Sequence, residues 1–341
     1  MKKSNLVYVL LSILLSVVLL GFLFSQIEFR DFLETLKNIS VPLLLVFMGM
    51  HFMNSALRAI RYQWLLHPHS IRFGNIFLVT LIRNVFVDLF PARIGSLSYI
   101  YILNKRMNFS FEVATSSFVV AFVFDFLTLS PFLITAIFAV GMGTNAISNP
   151  TTILISAVFF ILIFIVLWKL IEFSTLFVKG FAFITKKLGW EEKRWIKTSI
   201  EKLLSTIDCL KDIKNKKLYG KLFGISMLMR LAKYSTLHVL LVSLLKSHGF
   251  TFKTLNIWKT ILGITGAELT SALPIKGLGG YGTWESAWAL TFRLMDFEPR
   301  LAIISGLGVH LITNLFEYSI GIISIVILVL PLIRKSRQRN I

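Results

Sequence analysis

The sequence predicts an all-α integral membrane protein with about six full spans and two broken helices. Of its 341 residues, 55% are hydrophobic, and the mean hydropathy is +0.76, which exceeds the usual range of soluble globular domains. Several apolar runs reach the roughly 20 residues that a helix needs to cross a bilayer. Lysine and arginine are concentrated in the loops of one side, as is typical of polytopic proteins.

The full spans are predicted from the longest uninterrupted apolar runs. The first run follows two lysines, is longer than a signal-peptide core and is not followed by an A-x-A cleavage site, so we interpret it as an uncleaved span. The six predicted spans cover residues 6–24, 41–66, 113–140, 152–171, 219–245 and 301–330.

Two further apolar pieces, residues 73–103 and 257–293, are each interrupted near the middle. The first is broken by FPARIGS at residues 90–96, and the second by ALPIKGLGGYGTWES at residues 272–286. Proline and glycine interrupt a helix because proline lacks an N–H and glycine carries a large entropic cost. Each piece is predicted to form a re-entrant hairpin, or two short crossings, which would give eight spans.

The distribution of basic residues predicts the orientation. With a cytoplasmic N-terminus, the inside segments hold 22 lysines and arginines and the outside segments hold six. This bias predicts a multi-pass protein of the plasma membrane with both termini in the cytoplasm. The net charge of +19 is therefore explained by loops, and no nucleic acid partner is expected.

The two broken pieces predict an inverted repeat. They carry P-A-R-I-G at residues 91–95 and P-I-K-G at residues 274–277, and the predicted topology makes them enter the membrane from opposite sides. Inverted-repeat transporters place broken helices in corresponding positions near the binding site. We therefore predict one polytopic domain over residues 1–341. It comprises a first half at 1–140 with hairpin 73–103, a linker at 172–218, and a second half at 219–333 with hairpin 257–293.

The linker is basic and contains an amphipathic pattern over residues 190–212. Its apolar residues recur at spacings of four and three, after two tryptophans, which predicts a helix with one apolar face. One interpretation is a cytoplasmic helix lying on the anionic leaflet. The alternative is a docking surface for a soluble partner, and a homo-oligomer is also left open.

Thirteen charged residues fall inside the predicted spans and hairpins. A charge at the bilayer centre costs about 2.5–3.5 kcal/mol even on lenient scales, so most must pair, reach an interface or line a polar cavity. Five cations lie near span ends, where snorkelling or a headgroup contact would explain them. These are Arg58, Arg61, Arg230, Lys233 and Lys259.

The remaining charges predict a polar pocket at mid-membrane that binds a phospholipid headgroup. Arginine, lysine and free backbone amides would bind the phosphate, and carboxylates would bind a cationic or hydroxylated group. A helix beginning near residues 282–284 would point its positive end at the break. The alternative is a structural hinge with internal salt bridges. The predicted substrate-binding residues are Arg83, Asn84, Asp88, Arg93, Asp125, Glu268, Lys276, Gly279, Gly280, Glu285 and Glu317.

Two of these acids have predicted partners. Asp125 is expected to pair with an arginine of the first hairpin. Glu317 shares a helical face with His310 and Asn314, which indicates either the pocket or hydrogen bonding between helices.

No residue pattern points to catalysis, a cofactor or a metal. A single cysteine, Cys209, excludes an internal disulfide, and the six histidines are scattered. Neither G-x-x-x-x-G-K-[ST] nor G-x-S-x-G occurs. Transport, if any, would be passive or coupled to ions.

Three stretches resemble the transmembrane module of the lysylphosphatidylglycerol synthase/flippase family, which includes the multiple peptide resistance factors. They are RAIRYQWLL, NVFVDLFPARIGS and LPIKGLGGYGTWE. The resemblance implies a flippase-like fold that moves aminoacylated or other phospholipids between leaflets. Relatives often carry an arginine shortly before the acid matched to Asp125, whereas Val123 and Phe124 stand here. The residues that match by position are Arg93, Gly95, Gly279, Gly280 and Glu285.

The resemblance also leaves other functions open. Full-length enzymes of the family append a soluble aminoacyl-transferase domain, whereas this sequence is expected to end a few residues after its last span. One alternative is the membrane component of a phosphatidylglycerol lysyltransferase-like enzyme that acts with a separate catalytic partner. Another is a membrane anchor for an envelope enzyme, which would bind through residues 190–212.

Overall fold

The computed structural model consists of helices joined by short loops. It describes residues 3–67, 69–141, 169–187, 189–190, 193–215, 218–270, 273 and 276–339, with isolated positions at 154, 158, 161 and 165, and it has no strand in these ranges. Its helices are α1 (Lys3–Phe24), α2 (Phe29–Lys37), α3 (Val41–Leu66), α4 (Phe73–Leu89), α5 (Leu97–Arg106), α6 (Phe111–Gly141), α7 (Leu170–Lys187), α8 (Arg194–Asn215), α9 (Tyr219–Leu245), α10 (Ile257–Leu269), α11 (Thr283–Arg293) and α12 (Pro299–Arg339). Short 3₁₀ helices form at Pro91–Ser96, Lys246–His248 and Leu278–Gly280.

Four of the described helices, α3, α6, α9 and α12, are long and apolar enough to cross a membrane. A fifth candidate is the pair α1 and α2, which are bent by 88° with respect to each other. These helices confirm the predicted all-α membrane protein and correspond to five of the six predicted spans. The remaining prediction, at residues 152–171, lies almost wholly outside the described residues.

Both predicted interruptions are present. The first piece is divided into α4 and α5 by the 3₁₀ helix at Pro91–Ser96, and the second is divided into α10 and α11. We call the segment 90–96 the first break and the segment 270–282 the second break. Their entry from opposite membrane faces remains a prediction.

Equivalent helices of the two halves make equivalent packing contacts. The long helices α3 and α9 pack against each other. The first helix of each broken pair packs against the closing span of the other half, so that α4 lies on α12 and α10 lies on α6. The second helix of each pair packs on the closing span of its own half, since α5 lies on α6 and α11 lies on α12, and α11 also contacts α1. This is the pairing that two repeats related by a two-fold axis produce.

The linker forms two helices rather than one. Helices α7 and α8 pack against each other, and α8 also packs against α6. Ile196 and Ile207 of α8 are buried, and the Lys202 ammonium lies 4.9 Å from the centroid of the Phe111 ring. Part of the apolar face of α8 is therefore covered by protein. Contact of its remaining surface with lipid or a soluble partner stays a prediction.

Candidate functional site

The first break is folded against the end of its own helix. Phe90 precedes Pro91 and has an extended backbone (φ −101°, ψ 143°), because a residue before proline is disfavoured in the α region. A Cβ atom added at Gly95 would lie 1.7 Å from the carbonyl oxygen of Phe86. Only glycine allows this approach, so Gly95 sets the shape of the turn. The side chain of Arg93, a predicted phosphate ligand, lies outside the described residues.

The second break is held by a residue of α1. Gly279, Gly280 and Gly282 have φ values of +62°, +84° and +85°, which favour glycine because it lacks a Cβ. The Ser16 hydroxyl accepts a hydrogen bond from the Leu278 N–H at 2.8 Å and donates one to the Tyr281 carbonyl oxygen at 2.9 Å. Sequence reasoning missed Ser16, because a serine within a leucine- and valine-rich run has no distinguishing pattern.

Helix α11 begins where the sequence predicts, and Glu285 caps it. Oε2 of Glu285 accepts a hydrogen bond from the Gly282 N–H at 2.7 Å, and Oε1 lies 2.7 Å from Nδ1 of His310. Nδ2 of Asn314 donates to Nε2 of His310 at 3.0 Å, so Nδ1 carries the proton donated to Glu285. Glu285 is fully buried. Both of its oxygens are occupied by protein groups, and its predicted role in substrate binding would require their release.

The two breaks meet through Lys276. This lysine lies in the second break and is 4% exposed. Its ammonium donates to the carbonyl oxygens of Asp88 at 2.8 Å and Val87 at 3.4 Å, at the end of α4. A cation is stabilised there because the last carbonyl groups of a helix have no partner within the helix. A residue of the second half therefore caps a broken helix of the first half.

Beside this contact, the helices that carry two of the predicted acids pack against each other. Asp88 lies on α4 and Glu317 on α12. Oε1 of Glu317 is 3.1 Å from Nε2 of His51 on α3. Glu317 thus contacts His51, whereas His310 contacts Glu285 and Asn314, although Glu317, His310 and Asn314 all lie on α12. His51 was not predicted as part of the site.

Asp125 pairs with α3. Nη1 of Arg61 lies 2.6 Å from its carboxylate and also donates to the Ser226 hydroxyl at 2.9 Å. Arg230 donates to the backbone carbonyl oxygen of Asp125 at 2.5 Å. Among the described side chains the carboxylate partner is thus Arg61 and not Arg83 of the first hairpin, and a contact with Arg93 stays a prediction. Snorkelling of Arg61 was wrong, because its side chain is completely buried.

The second half contains a corresponding group of ionic contacts. Glu268, at the end of α10, forms a salt bridge with Lys233 and lies 3.8 Å from Arg230, both on α9. Lys259 donates to the carbonyl oxygen of Met295 at 2.6 Å. These three cations contact protein groups instead of extending to an interface. Each half thus pairs cations of its long central helix with an acid of the same half.

The paired charges do not balance, and cations are in excess. Among the described residues, neither Arg58 nor Arg83 has a carboxylate within 4.0 Å, and Arg58 donates instead to the neutral Asn84 side chain at 2.9 Å. The buried Nε atoms of Arg58 and Arg83, and Nε and Nη2 of Arg61, have no hydrogen-bond partner in the described part of the chain. We call the whole set the charged cluster: Arg58, Arg61, Arg83, Asp88, Asp125, Arg230, Lys233, Glu268, Lys276 and Glu317.

This architecture defines a multi-pass helical membrane protein with a buried polar centre where two broken helices meet. The family model described as the lysylphosphatidylglycerol synthase TM region matches residues 9–336. The chain belongs to this family, as the sequence motifs predicted. No curated protein and no solved structure matches the chain. The family is that of membrane proteins in lipid modification or flipping.

Proposed function

We propose that this protein moves phospholipids between the leaflets of the plasma membrane, with both termini in the cytoplasm. The headgroup passes through the charged cluster, and phosphatidylglycerol, free or aminoacylated, is the preferred cargo. The observation that carries this proposal is the excess of guanidinium groups whose buried nitrogen atoms have no partner within the described residues. Arg58 and Arg83 present nitrogen atoms without carboxylate partners inside the described part of the protein.

A phosphate group matches these arginines chemically. Guanidinium binds phosphate oxygens through parallel hydrogen bonds, and such charge-assisted bonds are stronger than neutral ones. Leaving a buried donor without a partner costs about 1–3 kcal/mol, so an anionic headgroup would relieve this cost. A lysyl headgroup adds an ammonium, and the acids of the cluster are the groups that would attract it.

The surfaces of the breaks suit the acyl chains. Exposed apolar side chains flank the first break at Phe90 and Ile94 and the second break at Leu273 and Leu278. A lipid that crosses the membrane must keep its acyl chains in an apolar phase while its headgroup is in a polar one. The arrangement of apolar exterior and charged interior at one level of the protein meets both requirements.

The test is a fluorescent-lipid translocation assay in proteoliposomes. We expect wild type to move phosphatidylglycerol and lysylphosphatidylglycerol probes faster than empty vesicles. The substitutions Arg58→Gln and Arg83→Gln should each slow movement about tenfold or more, because one charged hydrogen bond contributes about 1.5–3 kcal/mol.

The matched control is Arg30→Gln on α2, where the side chain is 83% exposed and pairs only with Glu34 within the described residues. It should leave the rate unchanged. Wild-type protein that is folded and moves no lipid would contradict the proposal, as would arginine variants that match wild type.

A second candidate is a membrane component that recruits a soluble lipid-modifying enzyme. The observation that favours it is the outer surface of α8, where Leu203 and Leu204 are exposed beside Lys197 and Lys202. Replacing both leucines by serine should leave lipid movement in vesicles unchanged. Loss of lipid modification in cells by this variant would support the second candidate, and unchanged modification would contradict it.

A further inference from the structure

Four polar residues form a stripe along one face of α3. They are His51, Asn54, Arg58 and Arg61, whose spacings of three and four residues place them on the same side of a helix. The stripe extends about 15 Å along the helix axis. Helices α4, α6 and α9 pack against α3, and both His51 and Arg61 are buried. We call this set the α3 stripe.

The two ends of the α3 stripe are paired with acids. Nε2 of His51 lies 3.1 Å from Oε1 of Glu317 on α12. Nη1 of Arg61 lies 2.6 Å from the Asp125 carboxylate on α6, and it donates to the Ser226 hydroxyl on α9 at 2.9 Å. These contacts fix both ends of the stripe to neighbouring helices.

The middle of the α3 stripe contains an acceptor and a donor without partners. Among the described residues, Oδ1 of Asn54 and Nε of Arg58 are both buried and neither has a hydrogen-bond partner. Nη1 of Arg58 donates to Oδ1 of Asn84 on α4 at 2.9 Å, which holds the guanidinium group in place. Residues four apart on a helix have Cβ atoms about 5–6 Å from each other. The two groups can therefore contact one small ligand together.

The amide at residue 54 leaves the charge of Arg58 available. An aspartate at this position would stand four residues before an arginine, which is the favoured order for an ion pair on a helix, and it would neutralise Arg58. The neutral side chain of Asn54 does not. It provides a carbonyl oxygen, which accepts a hydrogen bond from a hydroxyl or an ammonium group.

A phosphate ester that carries a hydroxyl group close by satisfies both residues. The guanidinium group of Arg58 binds phosphate oxygens, and Oδ1 of Asn54 accepts the hydroxyl hydrogen. In a glycerol headgroup, the nearer hydroxyl lies on the second carbon after the ester oxygen, and it stays free when the terminal hydroxyl is aminoacylated. A choline headgroup has the same phosphate but no O–H or N–H to donate.

We propose that Asn54 and Arg58 form a subsite that selects phospholipids by the hydroxyl group next to their phosphate. This inference rests on the proposed function and adds a specificity-determining residue to it. Arg58 binds the phosphate of any anionic phospholipid, whereas Asn54 distinguishes headgroups with a hydroxyl from those without one. A lipid that lacks the hydroxyl leaves the buried Asn54 oxygen without a partner, and sites of this kind disfavour such ligands.

The experiment compares two fluorescent lipids in proteoliposomes, phosphatidylglycerol and phosphatidylpropanol. Both carry one negative charge and can have the same acyl chains, but phosphatidylpropanol has no hydroxyl groups. We expect wild type to move phosphatidylglycerol about tenfold faster, which corresponds to one hydrogen bond. Asn54→Leu should slow phosphatidylglycerol to the rate of phosphatidylpropanol. The matched control is Asn75→Leu in the first turn of α4, where the residue is exposed, and it should keep the wild-type preference.

A second variant tests the role of Arg58 in the same subsite. Asn54→Asp should slow both lipids about tenfold or more, because the new carboxylate would pair with Arg58 and compete with the phosphate. Rates equal to those of wild type for both lipids would overturn the joint action of the two residues.

The outcomes separate the subsite from the proposed function. Equal rates for the two lipids in wild type would overturn the subsite and leave the proposed function standing. An Asn54→Leu variant that keeps the preference, or that slows both lipids equally, would also overturn it. Folded wild-type protein that moves neither lipid would contradict the proposed function.

A further measurement does not depend on transport. Short-chain phosphatidylglycerol should raise the unfolding temperature of the wild-type protein in detergent more than short-chain phosphatidylpropanol does, because a ligand stabilises the folded state in proportion to its affinity. In Asn54→Leu, the two lipids should raise it equally. Equal stabilisation of wild type by both lipids would overturn the subsite.

Discussion

The two breaks interrupt apolar pieces of similar length but are held in place differently. The first break is a single 3₁₀ turn whose Gly95 lies against the Phe86 carbonyl of its own helix. The second break is longer, contains three glycines with positive φ, and is fixed by Ser16 of α1 and by Lys276 on the end of α4.

The two breaks are therefore stabilised by different kinds of contact. The shape of the first break depends on the contact of Gly95 with Phe86 in the preceding helix, and Arg58 and Arg83 lie on the packed helices α3 and α4. The second break depends on a few polar contacts with other elements, which can be exchanged individually. We infer that the second break moves against the first when a lipid passes.

The largest effect is expected from Asp125→Asn, which removes the carboxylate partner of the fully buried Arg61. Uncompensated burial of a charge costs about 3–5 kcal/mol, so unfolding in detergent should occur at a much lower temperature. Glu268→Gln in the second half should cost less, because its partner Lys233 is 30% exposed. The exposed Asp208→Asn should have almost no effect. If Asp125→Asn and Glu268→Gln lowered the unfolding temperature equally, the two halves would not differ in how much their ion pairs stabilise the protein.

The second-largest loss of stability is expected from Gly95→Ala in the first break. The new Cβ would lie 1.7 Å from a backbone oxygen, and overpacking of this kind costs about 1–3 kcal/mol or more. Gly74→Ala near the start of α4 is the control, since no atom lies within 4 Å of its added Cβ. It should be neutral or stabilising. Chemical denaturation would measure both, and a neutral Gly95→Ala would show that the first break is not tightly packed.

Ser16→Ala should affect only the second break. It leaves the Leu278 N–H and the Tyr281 carbonyl without their partner, at a cost of about 1–3 kcal/mol. Hydrogen exchange should accelerate at residues 276–282 and stay unchanged at residues 91–96. The control is Ser25→Ala, whose exposed hydroxyl donates to the Phe22 carbonyl oxygen within α1 and the residue after it. Acceleration at both breaks would show that they open as one unit.

The smallest effect is expected from Gly279→Ala. Its φ of +62° puts alanine in the left-handed region, which costs about 1–2 kcal/mol, and the nearest atom to the new Cβ is 3.3 Å away in the flexible Tyr281 ring. The variant should stay folded with a slightly reduced melting temperature. A loss as large as that of Gly95→Ala would mean that the second break is as rigid as the first.

Much of the fold follows from local sequence patterns. Long apolar runs predict α3, α6, α9 and α12, and the proline–glycine clusters predict both breaks, since these signals depend on chain composition alone. The contact between the two breaks is harder to predict from sequence, because Lys276 binds backbone carbonyl groups, which every residue has. The position of Lys276 in the site was predicted, but the partner it binds was not.

The pairing of charges across the chain is the part that local patterns do not determine. Arg61 and Asp125 are 64 residues apart, and helical spacing only indicates which residues share a face. His51 and Ser16 are isolated polar residues in apolar runs, so nothing nearby marks their roles. Glu285 is different, because a glutamate three residues after a helix-breaking glycine stands where it can accept from the N–H of the N-cap residue, which is one of the two bonds of a capping box. That signal could have identified it as a helix cap.

The most direct test is a disulfide that fixes the two halves together. A Cβ added at Gly321 of α12 would lie 3.3 Å from Cβ of Val85 on α4, close to the roughly 3.5–4.5 Å found in disulfides. Val85→Cys combined with Gly321→Cys would be placed in a Cys209→Ser background, because Cys209 is the only native cysteine. Single-cysteine variants serve as controls.

The measurement is the rate of lipid movement by the oxidised and the reduced double variant in proteoliposomes. The account predicts that oxidation stops movement, that reduction restores it, and that the single-cysteine variants respond to neither. Full cross-linking with an unchanged rate would contradict the claim that lipids cross between halves that move against each other.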